Sequence, residues 1–254
     1  MKTALITGAT SGIGKATAER FAKAGYRLIL CGRRTGVLAE LQKSLSSQTE
    51  VFTLNFDQRF FEEVQAALTS LPTAWQNIDI LVNNAGNAHG LETLEEGNIE
   101  DWDAMLDGNV KGILYVTKLL IPRMKERRSG HIVNISSVAA RQTYVNGVVY
   151  CASKRAVDVL SEGMRLELTE FGIKVTNLQP GLVETDFSKV RFKGDEERAE
   201  SVYQGYEALK PQDIADAIYY CVSAPKHVAV SDLTIYPSAQ SEPRTVYKDL
   251  DNNL

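Results

Sequence analysis

The sequence predicts a single-domain, Rossmann-type doubly wound α/β fold: a parallel sheet of seven strands with helices on both faces. Three observations carry that expectation. Short apolar runs alternate with longer amphipathic stretches along the 254 residues. A glycine-rich turn follows the first run, as in doubly wound folds. Several runs lack polar alternation, which suits strands covered on both faces.

The elements follow in order. "TALI" (3–6), "YRLILC" (26–31), "VFTL" (51–54), "DILV" (79–82), "HIVNIS" (131–136), "KVTNL" (174–178) and "LTIY" (233–236) read as strands. Helical patterns lie near 13–24, 35–46, 58–70, 99–126, 148–171 and 211–223. No Pro-, Gly- or Ser-rich linker, repeat or low-complexity segment divides the chain, so 1–254 is expected to be one domain. The stretch 185–208 breaks the rhythm and reads as an excursion over the C-terminal edge of the sheet, where such folds bind ligands. The polar, breaker-rich end, 237–254, reads as a tail that frays or packs on a neighbouring subunit.

Composition narrows the partners. A 44% hydrophobic and 24% charged chain is that of a soluble globular protein. With a net charge of −4 and no basic block longer than "KERR", no nucleic-acid partner is expected. "GILYVTKLLI" (112–121) is interrupted by Lys118 and too short to span a membrane, and "MKTALITGAT" is too short for a signal peptide. Cys31, Cys151 and Cys221 are scattered, as are His89, His131 and His227, so neither a disulfide frame nor a metal site is expected. These features point to a cytoplasmic protein.

The first chemical signal is "TGATSGIG", with Gly8, Gly12 and Gly14 between the first strand and a helix. Glycines allow a sharp turn and close backbone approach, and the helix presents its positive end to a phosphate. The spacing is GxxxGxG, not the more common GxGxxG, yet its place after the first strand points to a dinucleotide. At the end of the second strand, NAD-selective domains carry an acidic residue. Here "GRR" places Gly32, Arg33 and Arg34 there instead. A guanidinium can grip a 2′-phosphate that a carboxylate would repel, so NADP is the expected cofactor. Taken alone, the two arginines are also consistent with a solvated loop.

With these pieces on the page, the chain resembles the short-chain dehydrogenase/reductase family over nearly its whole length. The resemblance rests on "TGATSGIG", Asp57, "NNAG" (83–86), Asn109 in "GNVKG", "SS" at 136–137, "YCASK" (150–154) and "PGLVETDF" (180–187). "GRR", "SLP" with a following Trp, "NIDILVNNAG" and "VRFKGD" (190–195) resemble the branch of NADP-dependent 3-hydroxy acid dehydrogenases that includes the serine dehydrogenase type. Gln58, where the family usually has an apolar residue, is a small departure.

The resemblance implies that Gly8, Ser11, Gly12, Ile13 and Gly14 line the pyrophosphate and adenosine ribose. Asp57 would meet the adenine amino group, Asn84 and Gly86 would flank the cofactor, and Val183 and Thr185 would hold the carboxamide and phosphate. Asn84 is equally a strand-tying residue. Tyr150 would touch both cofactor and substrate, and Lys154 the cofactor. Asn109 would interrupt a helix and hold water that links Lys154 to solvent, and a homotetramer would result.

Oxidation of an alcohol needs a base for the hydroxyl proton while hydride leaves carbon. No His is placed for this by motif, which leaves Tyr150. A phenol titrates near 10, so reaching neutrality needs roughly 4 kcal/mol. A Lys154 ammonium about 5 Å away supplies on the order of 3 kcal/mol at an effective dielectric of about 20, while desolvation opposes it. Tyr150 also lies near a helix start, where the dipole favours a phenolate. Ser137 would position the substrate oxygen, with Ser136 as its rival.

For a 3-hydroxy acid the site needs a cation, and Arg191, with Lys193 nearby, lies in the excursion. A mobile surface loop would explain both equally. The expected function is hydride transfer between NADP and a small 3-hydroxy acid (serine, allo-threonine, 3-hydroxypropionate or 3-hydroxyisobutyrate type) or its semialdehyde. The alternatives are a broad carbonyl reductase of neutral ketones and, more remotely, a nucleotide-binding sensor without turnover.

Overall fold

A computed structural model of the chain describes residues 1–249. Its strands are β1 (Thr3–Thr7), β2 (Arg27–Gly32), β3 (Val51–Asn55), β4 (Ile80–Asn83), β5 (Gly130–Ile135), β6 (Ile173–Pro180) and β7 (Asp232–Ile235). They form one seven-stranded sheet in the order β3-β2-β1-β4-β5-β6-β7, parallel throughout. The order reverses between β1 and β4, which opens a crevice at the C-terminal strand ends.

The side-chain period of two explains why these strands are apolar without a break. Leu5, Ile29, Leu81 and Ile132 face one core, whereas Ile6, Leu28, Leu30, Val82 and Val133 face the other. Helices α1 (Gly12–Lys23), α2 (Thr35–Leu45) and α9 (Pro211–Ser223) cover the second face, through Phe21, Leu38, Leu41 and Ile218 among others. Helices α3 (Phe61–Thr69), α5 (Gly112–Arg127) and α6 (Val148–Leu168) cover the first, through Val64, Val116 and Val157.

The helical stretch over 99–126 is interrupted around Asn109, as the resemblance implied. Helix α4 (Ile99–Leu106) leads into a π-helical turn (Asp107–Lys111) before α5 begins. The wider turn carries Asn109 into the interior, where its side chain is fully buried. Between β6 and α9, the stretch 185–208 holds two short helices, α7 (Phe187–Arg191) and α8 (Glu196–Ser201).

Residues 237–249 turn back on their own chain. Gln240 is buried, and its Oε1 accepts a 2.8 Å hydrogen bond from Leu182 N. The Lys248 amine donates to Ser201 O at 3.0 Å, which ties this arm to the end of α8. The remainder of the expected tail, 250–254, lies outside the described residues.

Candidate active site

A cavity of about 510 Å³ runs along the C-terminal edge of the sheet. The glycine turn, the ends of β2 to β6, the start of α6, α7 and the C-terminal arm all contribute to its wall. Of the sequence-predicted residues, Gly8, Ser11, Gly12, Ile13, Arg33, Arg34, Asp57, Asn84, Gly86, Ser137, Tyr150, Lys154, Val183, Thr185 and Arg191 line it. Gly14 and Asn109 stand behind this wall.

The glycine turn is packed as tightly as its sequence implies. Gly8 has φ +64, and a Cβ there would lie 2.9 Å from both the Ala85 Cα and the Asn84 amide nitrogen. A Cβ on Gly14 would meet Gly8 O at 2.3 Å, so this glycine seats helix α1 against the turn. Asn84 Nδ2 donates to Thr7 O at 2.9 Å, so it does tie β4 to β1 while also lining the cavity.

At one end stands a cationic cluster. Arg34 donates to Thr10 Oγ1 at 2.7 Å and to Ser11 Oγ at 2.9 Å, which fixes it over the glycine turn. The Arg33 side chain is 62% exposed and makes a 3.4 Å contact with Asp57. The Asp57 carboxylate is engaged chiefly by Arg59, at 2.7 Å, and the charge and hydrogen bonds of Arg59 help hold it below its usual range despite burial. Arg59 lines the cavity and was not singled out from the sequence, although its position two residues after Asp57 was a readable signal. Gln58 proves structural: its Nε2 joins Ala85 O at 3.0 Å to Gly108 O at 2.7 Å and so braces the π turn.

At the other end lie Ser137, Tyr150 and Lys154. Gly147 caps α6, so Tyr150 is the third residue of that helix, as the dipole argument requires. Burial is the largest influence on the Tyr150 phenol and pushes it well above its ordinary value, while a hydrogen bond with the Ser137 side chain and the charge of Arg191 oppose it. Desolvation, set against the lysine charge in the sequence reading, is thus the larger influence at Tyr150. The Lys154 amine instead donates to Ile135 O at 3.0 Å, and burial lowers it to about 8.

The two serines part company here. Ser137 caps a short turn, accepting from Ala139 N at 3.1 Å, and sits beside Tyr150. The Ser136 hydroxyl donates to Asp158 Oδ1 at 2.7 Å. Asn109 is held by three protein hydrogen bonds: Nδ2 donates to Asn87 O at 2.8 Å and Ser153 Oγ at 3.0 Å, and Oδ1 accepts from Asn87 N at 2.8 Å. It pins the backbone after β4 beside Lys154, since a Cβ on Gly86 would lie 2.8 Å from Asn109 Oδ1 and 3.4 Å from Lys154 Nζ.

Arg191 crosses the mouth. Its Nε donates to Gly90 O at 3.2 Å and its Nη2 to Tyr144 Oη at 2.9 Å, with the guanidinium 5.3 Å from the Tyr150 ring centre. Lys193 is not its companion, because that amine pairs with Asp101 at 2.8 Å. A second cation is supplied from elsewhere. Arg244, on the C-terminal arm, lines the cavity with its guanidinium 5.6 Å from the Tyr144 ring centre. No local pattern announces it. Among the described residues, no group of His, Cys, Asp and Glu could hold a metal ion.

A turn of closely packed glycines, a sheet edge with cations at one end, and a Ser, Tyr and Lys at the other together define a dinucleotide-dependent oxidoreductase site. The chain belongs to the short-chain dehydrogenase family, whose model matches residues 2–196. It is 42% identical over 238 residues to the NADP-dependent 3-hydroxy acid dehydrogenase of Escherichia coli (strain K12), covering 93% of this chain and 95% of that protein. The NADP-dependent 3-hydroxy acid dehydrogenase of Schizosaccharomyces pombe is 39% identical over 250 residues, covering 97% and 96%. A closed form of serine dehydrogenase complexed with NADP+ superimposes with a TM-score of 0.91 at 42% identity, covering 94% of this chain and 96% of that one.

Proposed function

We infer that the protein is an NADP-dependent oxidoreductase moving hydride between the nicotinamide and a small 3-hydroxy acid, or the matching semialdehyde. The observation that carries this reading is Arg191 facing the Tyr150 ring at 5.3 Å inside the cavity that also holds the glycine turn and Arg34. A guanidinium so placed, bonded here to neutral oxygens, favours a carboxylate near the reacting hydroxyl over a neutral ketone, which offers its charge no counterpart. The identities to the bacterial and yeast hydroxy acid dehydrogenases support the same reading.

The residues present fit NADP. The close contacts at Gly8 and Gly12 leave backbone exposed in the cavity wall, and Arg33 and Arg34 suit a 2′-phosphate. Asn87 Oδ1 is a buried acceptor with no partner within the protein. Gly8, Ser11, Gly12 and Ile13 would hold the pyrophosphate side, Arg33, Arg34 and Asp57 the adenosine end, and Asn84, Gly86, Val183 and Thr185 the nicotinamide side. Bound nicotinamide supplies the hydride acceptor or donor.

The chain itself moves the proton. Ser137 holds the substrate oxygen, and Tyr150 takes its proton in oxidation and returns one in reduction. Lys154, one turn further along α6, stabilises the phenolate, and Asn109 fixes the backbone beside that amine. The reading also includes a cytoplasmic homotetramer. Among the described residues, no helix is long and apolar enough to cross a membrane.

Following reduced-nicotinamide absorbance across serine, allo-threonine, 3-hydroxypropionate, 3-hydroxyisobutyrate and neutral ketones, with NADP and NAD, tests the reading. Turnover of the acids with NADP is the expected result. A preference for neutral ketones, or for NAD, overturns it.

A further inference from the structure

We propose that Asp158 is a positioning residue for this site, holding the end of β5 on helix α6 and keeping Lys154 in its ammonium form. The proposal rests on the hydride-transfer reading above. Tyr150, Lys154 and Asp158 follow at intervals of four residues on α6, so the three share one helix face.

The Asp158 carboxylate is a hub between elements. Oδ1 accepts from Ser136 Oγ at 2.7 Å and from Asn177 Nδ2 at 2.9 Å, and Oδ2 accepts from Gln179 Nε2 at 2.8 Å. Ser136 immediately precedes Ser137, and Asn177 and Gln179 belong to β6. One carboxylate therefore fixes the strand end that carries the substrate-facing serine. Its hydrogen-bond donors are all neutral. Among the described residues, no salt bridge within 4.0 Å reaches it, and the buried Lys154 lies one turn back on the same helix face.

Other charged groups around the hub are accounted for. Asp232 on β7 accepts from Asn177 Nδ2 at 3.1 Å and is paired with Arg165 at 3.0 Å. Arg141 reaches Gln179 Oε1 at 3.4 Å, and Arg155 donates to Ala140 O at 3.3 Å. Arg191 faces the Tyr150 ring from α7. The Lys154 amine itself meets a neutral partner, Ile135 O at 3.0 Å. Burial lowers that amine to about 8 and Asp158 works against the fall.

Removing the carboxylate charge should let Lys154 lose its proton at lower pH. Asp158→Asn is expected to move the alkaline limb of kcat/KM for alcohol oxidation down by about one pH unit. A second readout needs no cofactor. An unfolded lysine titrates near about 10.4, and folded Lys154 near about 8. The unfolded chain thus holds more protons between those values, and stability from this group rises with pH across that window. In Asp158→Asn the rise in Tm should begin about one unit lower than in the wild type.

Gln179→Leu removes one of the carboxylate's hydrogen bonds, together with the Gln179 contacts to Thr234 and Arg141, and keeps the charge. It should lower Tm while leaving both pH positions in place. If Asp158→Asn yields no folded protein, Asp158→Ser, neutral and still able to hydrogen-bond, carries the same expected shifts. Uniformly slower rates with an unmoved limb and an unmoved Tm onset overturn the proposal. A wild-type enzyme inactive on every hydroxy acid overturns the functional reading instead, and the Tm comparison still decides the role of Asp158.

Discussion

The guanidinium carbon of Arg191 stands 5.3 Å from the centre of the Tyr150 ring, so the cation of the excursion and the acid–base phenol share one wall of the cavity. Arg191 is no loose surface side chain, because Gly90 O and Tyr144 Oη each take one of its donors. Arg191→Ala should raise KM for a 3-hydroxy acid roughly 10- to 100-fold, the scale of one lost charge-assisted hydrogen bond. The methyl ester of the same acid should lose far less. Steady-state kinetics on the acid and ester pair checks this, and equal losses would remove Arg191 from carboxylate recognition.

Tyr150 lies at the start of α6, where burial raises its phenol while Ser137 and Arg191 oppose the rise. Tyr150→Phe keeps the ring and its 5.7 Å packing with Phe187 while deleting the hydroxyl. Turnover should fall by roughly 10³-fold with Tm and cofactor Kd little changed. Stopped-flow or steady-state absorbance gives the first quantity and fluorescence titration the second.

Both arginines are exposed, but Arg34 is tied down by Thr10 and Ser11 whereas Arg33 makes a longer 3.4 Å contact with Asp57. Arg33→Ala should therefore reduce kcat/KM with NADP about 10-fold and leave the NAD value near its starting level. A parallel loss with both cofactors would mean that Arg33 shapes the loop and does not read the phosphate.

Gly14 does not line the cavity, and its importance is steric. A methyl group at this position would sit 2.3 Å from the Gly8 carbonyl oxygen. Gly14→Ala should destabilise the fold by roughly 1–3 kcal/mol, as overpacking does. Chemical denaturation followed by circular dichroism measures it.

His131 is buried on β5 against Thr176 Oγ1 at 2.8 Å, and burial lowers it to about 4. An unfolded histidine takes up its proton near about 6.5. The stability this residue gives is present above that pH and lost as pH falls through about 4. The loss amounts to about 3 kcal/mol across the window. His131→Gln should flatten that part of the acid denaturation curve, which urea titrations from neutral to acid pH will reveal.

The sheet was legible because each strand is apolar on both faces, and a run such as "YRLILC" has few other uses in a chain of this composition. The glycine turn was legible because close approach excludes side chains, and it does so here at Gly8 and Gly14. The break in the helix over 99–126 was not visible in the local pattern and was implied only by the family resemblance at Asn109. Asn109 makes the turn by bonding Asn87 and Ser153, which lie 22 and 44 residues away in the chain. Arg244 was hidden for the same reason. It reaches the cavity only because Gln240 anchors the arm to Leu182. The Tyr150–Lys154 spacing was read correctly as a shared helix face, but the strength of desolvation depends on everything packed around it.

The course of residues 237–249 also bears on how the protein should be handled at the bench. Pro243 and Arg244 of this arm form part of the catalytic entrance, so a bulky label attached at either would compete with incoming metabolites for space. Met1 leads into the opposite rim, at the N-terminal end of β1. Affinity tags, fluorophores and surface tethers belong there if kinetic constants are to describe the enzyme and not its attachment.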